Sequence, residues 1–288
     1  MPTTRSADGT RVHYVTYGKS DGEPLLLLHG LGTDHLGWVF QRRALSAKFR
    51  CIAVDNRGSG RSDKPIAGGS LPDLAADALA VLDDLGIESA HIMGASMGGI
   101  IAQIIAVAHP ERVRSLILSC TACHMGKWRR ELFADWIERA PILGMRRFMA
   151  ENLNWLIGPR SMSRLWPVAN LIGVMATRAP VHGLVNQLQA ILTIDDSLAD
   201  ELASIDTPTL VVVGSQDILT PVADSELLAA TIPDAELAVI RGAAHGLMFD
   251  HARTFNKTVL DFYEHRVFAS DVATDSRDVV SVSEQLGK

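Results

Sequence analysis

Residues 91–102 read His91-Ile92-Met93-Gly94-Ala95-Ser96-Met97-Gly98-Gly99-Ile100-Ile101-Ala102. A short apolar run with the look of a strand, His91–Gly94, leads into a helix-like apolar run, Gly99–Ala108, through a turn that carries a serine. Such a turn holds its central residue in a strained backbone, at a cost of roughly 1–3 kcal/mol, and it demands very small neighbours. Gly94, Gly98 and Gly99 supply them because none carries a Cβ. The turn lifts the Ser96 hydroxyl above the sheet and points the Met97 N–H and the helix N-terminus at the same spot. Ser96 is therefore the candidate nucleophile. The bland alternative is a Gly-rich helix start with Ser96 as a plain N-cap.

The other apolar runs short enough to be buried strands are Val12–Tyr17, Leu25–Leu28, Cys51–Asp55, Ser115–Cys120, Leu210–Val213 and Leu237–Ile240. Amphipathic stretches lie between several of them. In Leu71–Leu85 the apolar residues recur at 3.6 spacing, with Asp73, Asp77, Asp83 and Asp84 assigned to the opposite face and Gly86 as the stop. Ser225–Ala230 and Ala252–His265 read similarly. Strands alternating with helices predict an α/β fold, a mainly parallel sheet with helices on both faces.

A hydroxyl at neutral pH needs a base, and the base needs an orienting acid. Asp217 follows the strand Leu210–Val213 in Gly214-Ser215-Gln216-Asp217, and His245 follows Leu237–Ile240 in Gly242-Ala243-Ala244-His245-Gly246. Ligands meet α/β sheets at the carboxyl ends of strands, so Ser96, Asp217 and His245 are expected on one rim, as nucleophile, orienting acid and general base. The loop after Leu25–Leu28 is His29-Gly30-Leu31-Gly32, where missing side chains let backbone approach a ligand. The N–H groups of Leu31 and Met97 are the expected oxyanion hole. His29 is read as scaffold and Trp38 as packing beneath the loop.

With these motifs in view, the chain resembles the α/β-hydrolase superfamily over residues 10–266. The resemblance rests on His29-Gly30-Leu31-Gly32, Asp55-Asn56-Arg57-Gly58-Ser59-Gly60-Arg61-Ser62, Gly94-Ala95-Ser96-Met97-Gly98-Gly99 and the two motifs holding Asp217 and His245. It is nearest the capped serine-hydrolase branch of enol-lactonases, methylesterases, small esterases and cofactor-free perhydrolases. It implies an eight-stranded sheet, a helical cap after the sixth strand, and a structural rather than catalytic Asp55–Ser62 loop. Members that dehalogenate or open epoxides use Asp where this chain has Ser96. The implied function is cleavage of a carboxylic ester or lactone of a small to medium apolar substrate through an acyl-enzyme. Alternatives on the same triad are C–C hydrolysis of ring-fission products and perhydrolysis. A slow-turnover ligand-binding receptor of the same fold is another.

Composition bounds the rest. With 288 residues, 47% of them hydrophobic and 21% charged, the chain has the make-up of a globular protein with a sizeable core. A net charge of −6 argues against nucleic acid. No apolar run reaches membrane-spanning length and residues 1–11 lack an apolar signal core, so a cytoplasmic protein is expected. Three cysteines, an odd number, fit a reducing compartment, and Cys120-Thr-Ala-Cys123 is read as structural, with no metal site expected. Gly30-Leu31-Gly32 and Gly58-Ser59-Gly60 each begin a dinucleotide fingerprint, but His35 and Asp63 occupy the third glycine position, so no cofactor is expected.

The stretch 124–193 has no run that reads as a buried strand. It holds four of the five tryptophans, five of the nine methionines, and nine Lys+Arg against four Asp+Glu, a net +5. It is read as a helical lid over an apolar pocket, inserted into a core of 1–123 and 194–268. Its Arg129, Arg130, Arg146 and Arg147 raise the option of attracting a carboxylate-bearing substrate, against the alternative of a solvated helix face. Residues 269–288 lack an apolar face and are expected to form a disordered tail.

Overall fold

The computed structural model describes residues 2–158, 162, 179–194 and 197–269. Its eight strands are β1 (Thr3–Arg5), β2 (Arg11–Gly18), β3 (Glu23–Leu28), β4 (Phe49–Asp55), β5 (Ala90–Ala95), β6 (Val113–Ser119), β7 (Thr209–Gly214) and β8 (Ala235–Ile240). They form one sheet in the order β1-β2-β4-β3-β5-β6-β7-β8. The β1–β2 and β2–β4 pairs are antiparallel and all others parallel. From β3 the chain crosses first to β4 on one side and then to β5 on the other. The carboxyl ends of β3 and β5 therefore flank a topological switch point, where open α/β sheets bind ligands.

The described helices of seven or more residues are α1 (Val39–Leu45), α2 (Leu71–Asp84), α3 (Met97–Ala108), α4 (Lys127–Leu156), α5 (Val181–Leu192), α6 (Val222–Thr231) and α7 (Ala252–Phe262). The central strands divide their side chains between two layers, as the period of two requires. Leu26, Leu28, Ile92, Leu116 and Val211 face the layer holding α2 and α3. Leu25, Leu27, Met93, Ile117 and Val212 face the layer holding Leu45, Phe255 and Val259.

Local chemistry explains where the elements stop. Ser70 caps α2 by accepting from the Asp73 N–H, while Asp73 accepts from the Ser70 N–H, a reciprocal capping box. Gly86 takes a φ of 64° just past its end. The assignment of Asp77 to the solvent face of this helix is corrected. Asp77 is buried and takes two hydrogen bonds, at 2.6 and 2.7 Å, from the buried Arg57. Burial there follows from the partner, which a periodicity count does not register.

Between β6 and β7 lie α4 and α5. α4 contains Pro141 and breaks at Gly144, whose φ of 70° and ψ of 157° are non-helical. No described helix is long and apolar enough to cross a membrane. Residues 159–161 and 163–178 of the expected lid, and the expected tail from 270 onward, lie outside the described residues.

Candidate active site

Ser96 sits between the last residue of β5 and the first of α3, with φ 53° and ψ −119°. Its N–H donates to the Ser119 carbonyl at 2.9 Å, and its carbonyl accepts the Thr121 hydroxyl at 2.8 Å. These bonds hold a conformation that a residue with a Cβ avoids elsewhere. The neighbouring glycines are required by close approach. A Cβ on Gly98 would stand 2.0 Å from the Leu28 carbonyl oxygen, and one on Gly94 would stand 2.2 Å from the Gly98 carbonyl oxygen.

The structure brings the three expected side chains together. Ser96 Oγ lies 3.0 Å from His245 Nε2, and His245 Nδ1 lies 2.9 Å from Asp217 Oδ2. Both His245 and Asp217 are buried, at 5% exposure each. Asp217 Oδ1 accepts the N–H groups of Leu219 and Thr220, each at 2.9 Å. Asp217 Oδ2 also accepts the Thr220 hydroxyl at 2.7 Å. Burial alone would push this carboxyl up. The charge of His245 and the bonds from His245 and Thr220 outweigh it, and Asp217 is held below its ordinary value.

The loop after β3 reaches the same place. A Cβ on Gly30 would lie 3.1 Å from Ser96 Cβ, so backbone at this point packs directly on the serine. Among the described residues, neither the Leu31 nor the Met97 N–H donates to a protein acceptor. His29 secures the loop. Its Nδ1 accepts the Gly30 N–H at 2.7 Å and also meets the Thr33 hydroxyl. Burial pushes the His29 imidazole down to about 4, so it stays neutral. Trp38 is fully buried with its ring centroid 5.0 Å from that of His29. Gln187 of α5 completes the clasp, a residue the motifs do not flag. Its Oε1 accepts the Gly32 N–H at 2.8 Å, while its Nε2 donates to the Arg57 carbonyl and the Ser59 hydroxyl.

A cavity of about 260 Å³ opens onto Ser96 and His245. Its outer wall is apolar and comes from α4 and α5, through Phe133, Trp136, Phe148, Met149, Leu184 and Ile191. No Lys or Arg lines it among the described residues. This corrects the reading of the lid arginines. Arg129 is buried at 3% exposure, ion-paired with Asp224 and bonded to the Leu219 carbonyl. Arg130 donates to the carbonyls of Met125, Leu192 and Ile194. Arg147 bonds Glu151 at 2.8 Å, and Arg146 lies exposed on the outside. Two of the four are therefore neither substrate readers nor a solvated face. They staple helix ends and loops together.

Among the described residues, His13, His35 and Asp55 form the one three-residue group with donor atoms close enough to hold a metal ion. Four donors already occupy the Asp55 carboxylate. Oδ1 takes the backbone N–H and Nδ1 of His35 at 2.8 and 2.7 Å, and Oδ2 takes His13 Nδ1 and the Arg61 N–H at 2.9 and 2.8 Å. That saturation makes the group a structural hub at the start of the Asp55–Ser62 loop. Cys51, Cys120 and Cys123 are buried thiols outside any disulfide.

Comparison with known proteins agrees with this fold and motif set. The family model of the alpha/beta hydrolase fold matches residues 23–252. A 2-hydroxy-6-oxononadienedioate/2-hydroxy-6-oxononatrienedioate hydrolase of Burkholderia vietnamiensis is 33% identical, over 88% of this chain and 92% of that protein. The enol-lactonase of Burkholderia xenovorans LB400 superposes with a TM-score of 0.85 at 29% identity, over 92% of this chain and 100% of that one. A thermophilic esterase of Thermogutta terrifontis superposes at 0.82 with 28% identity, over 91% of this chain and 97% of that one. The chain belongs to the α/β-hydrolase family. These three relatives are hydrolases by name, and their names give different activities.

Proposed function

We propose that this protein is a serine hydrolase that cleaves a carboxylic ester or lactone of a small to medium, uncharged and largely apolar substrate through an acyl-enzyme. The observation that carries the reading is the Ser96–His245–Asp217 relay, with contacts of 3.0 and 2.9 Å, at the floor of an apolar cavity. His245 Nε2 takes the Ser96 proton as Oγ bonds to the substrate carbonyl carbon. The carbonyl oxygen, now an anion, takes the N–H groups of Leu31 and Met97. The C–O bond to the leaving alcohol breaks as His245 returns the proton to it. Water then adds to the acyl carbon while His245 takes its proton. The Ser96–acyl bond breaks, Oγ recovers a proton and the acid leaves. Asp217 holds the imidazole tautomer that presents Nε2 to Ser96 throughout.

The division into a core of 1–123 and 194–268 and a lid of 124–193 belongs to the same reading, with α4 and α5 as the lid over the acyl group. Three buried thiols support a cytoplasmic setting. C–C hydrolysis is the second reading, favoured by the relative that acts on a dienedioate. The cavity wall weighs against it: among the described residues no Lys or Arg lines it, and burying one unpaired carboxylate costs several kcal/mol.

The test is a panel of p-nitrophenyl esters and lactones, neutral and carboxylate-bearing, with a ring-fission dienone beside them. Neutral acyl esters are expected to exceed carboxylate-bearing analogues in kcat/KM by about a hundredfold or more. Ser96→Ala is expected to abolish turnover and labelling by a fluorophosphonate. Preference for the dienone, or labelling unchanged in Ser96→Ala, overturns the reading.

A further inference from the structure

Deepening the proposed serine-hydrolase reading and resting on it, we propose that Thr220 is a positioning residue of the triad. Its hydroxyl bridges Asp217 and His245, so that the Nδ1 proton of the imidazole is shared between a carboxylate oxygen and an alcohol oxygen.

The geometry is specific. Thr220 Oγ1 donates to Asp217 Oδ2 at 2.7 Å and lies 3.2 Å from His245 Nδ1. Having given its one proton to Asp217, the hydroxyl presents a lone pair to the imidazole edge. Nδ1–H thus faces two acceptors, Asp217 Oδ2 at 2.9 Å and Thr220 Oγ1 at 3.2 Å. The carboxylate is orientated independently, because the Leu219 and Thr220 N–H groups grip Oδ1. Those backbone donors survive any side-chain change at 220. Removing the hydroxyl therefore leaves Asp217 charged and in place, and subtracts only the second acceptor and the second donor on Oδ2. All three groups are buried, so this dipole is poorly screened.

The consequence falls on the step in which His245 becomes an imidazolium. The Thr220 oxygen stabilises that cation and so favours proton uptake. Other groups face the imidazole from each packed element. Ser96 meets Nε2 from the β5–α3 turn, and His29, from the loop after β3, lines the same cavity and stays neutral. Cys120 after β6 lines the same cavity with its thiol pushed up by burial, and Asp250 lines it beside His251. Asp224, paired with Arg129 and facing His124, acts on Asp217 from α6. None of these bridges the two triad members as Thr220 does.

The experiment compares Thr220→Val, nearly equal in shape, with Thr220→Ser, which keeps the hydroxyl. It uses the full chain and a neutral p-nitrophenyl ester, with kcat normalised by active-site titration with a fluorophosphonate. Loss of a charge-linked hydrogen bond predicts kcat down about tenfold in Thr220→Val, with KM changed less than about twofold. The pH at which the rate falls on the acid side should move down by roughly half a unit. Thr220→Ser should recover most of the loss. Thr220→Ala carries the same expectation if the valine variant does not fold. An acid limb that stays put or moves up, a loss confined to KM, or a serine variant as slow as the valine one overturns the proposal. If that happens while Ser96→Ala is dead, the hydrolase reading stands and only Thr220 is removed. If Ser96→Ala still turns over, the reading beneath it fails instead.

Discussion

Ser96 holds a φ of 53° because its neighbours leave the chain no other path, and its neighbours manage this by lacking side chains. Gly98→Ala tests that dependence, since its methyl would sit 2.0 Å from the Leu28 carbonyl oxygen. We expect a loss of stability of about 1–3 kcal/mol or more, read as a lower urea midpoint, with labelling of Ser96 falling in parallel. A variant as stable and as reactive as the parent would mean that the turn tolerates a Cβ there. The triad was legible in the amino-acid sequence because each member sits in a short motif with glycines at fixed offsets. Thr220 and Gln187 were not, since their importance lies in what they touch. Thr220 had a faint signal, an Asp followed three residues later by a Thr, which is the spacing of a local side-chain turn. Gln187 lies 155 residues from the Gly32 it holds, and no local pattern encodes such a distance.

The helix α4 is tied to the core by a buried charge pair that its amino-acid sequence does not reveal. Arg129 of α4 pairs with Asp224 of α6 with both side chains under one-tenth exposed. Burial pushes Asp224 up, and Arg129 only partly offsets this. Breaking such a pair from one side typically costs about 3–5 kcal/mol, because the remaining charge is stranded. Arg129→Met should therefore destabilise the protein by that order. Arg129→Met combined with Asp224→Leu should regain most of it, as thermal melts would record. Equal melting of the single variant and the parent would show that the pair carries no weight. Amphipathic periodicity located α2 well but put Asp77 outside, and net charge marked the stretch 124–193 as basic but not the use of its arginines. Both misreadings have one cause: counting charges along a helix cannot reveal which of them finds a buried partner.

The inner strands were the most legible part of the molecule, since strands buried on both faces, such as β3, β5 and β7, read as uninterrupted apolar runs. The three-residue β1 and the α1 region were not, because neither has the length to show a period. The same burial has a consequence for stability against acid. His29 and His91 are buried, and desolvation lowers each from 6.5 to about 4. An unfolded chain takes up these protons near pH 6.5, whereas the folded chain does so only near pH 4. The stability they supply is complete above the higher value and is lost as the pH falls toward the lower, up to about 3 kcal/mol each. Urea midpoints should drop between pH 7 and pH 5, and His91→Gln should flatten part of that fall; midpoints constant across this range would contradict it. Trapping the covalent intermediate on Ser96 decides the mechanism. Rapid acid quench of the enzyme turning over a p-nitrophenyl ester, followed by peptide mass mapping, should find the acyl mass on the peptide containing Ser96, and none in Ser96→Ala. Turnover with no acyl mass on Ser96, or with the acyl group on another residue, would contradict it.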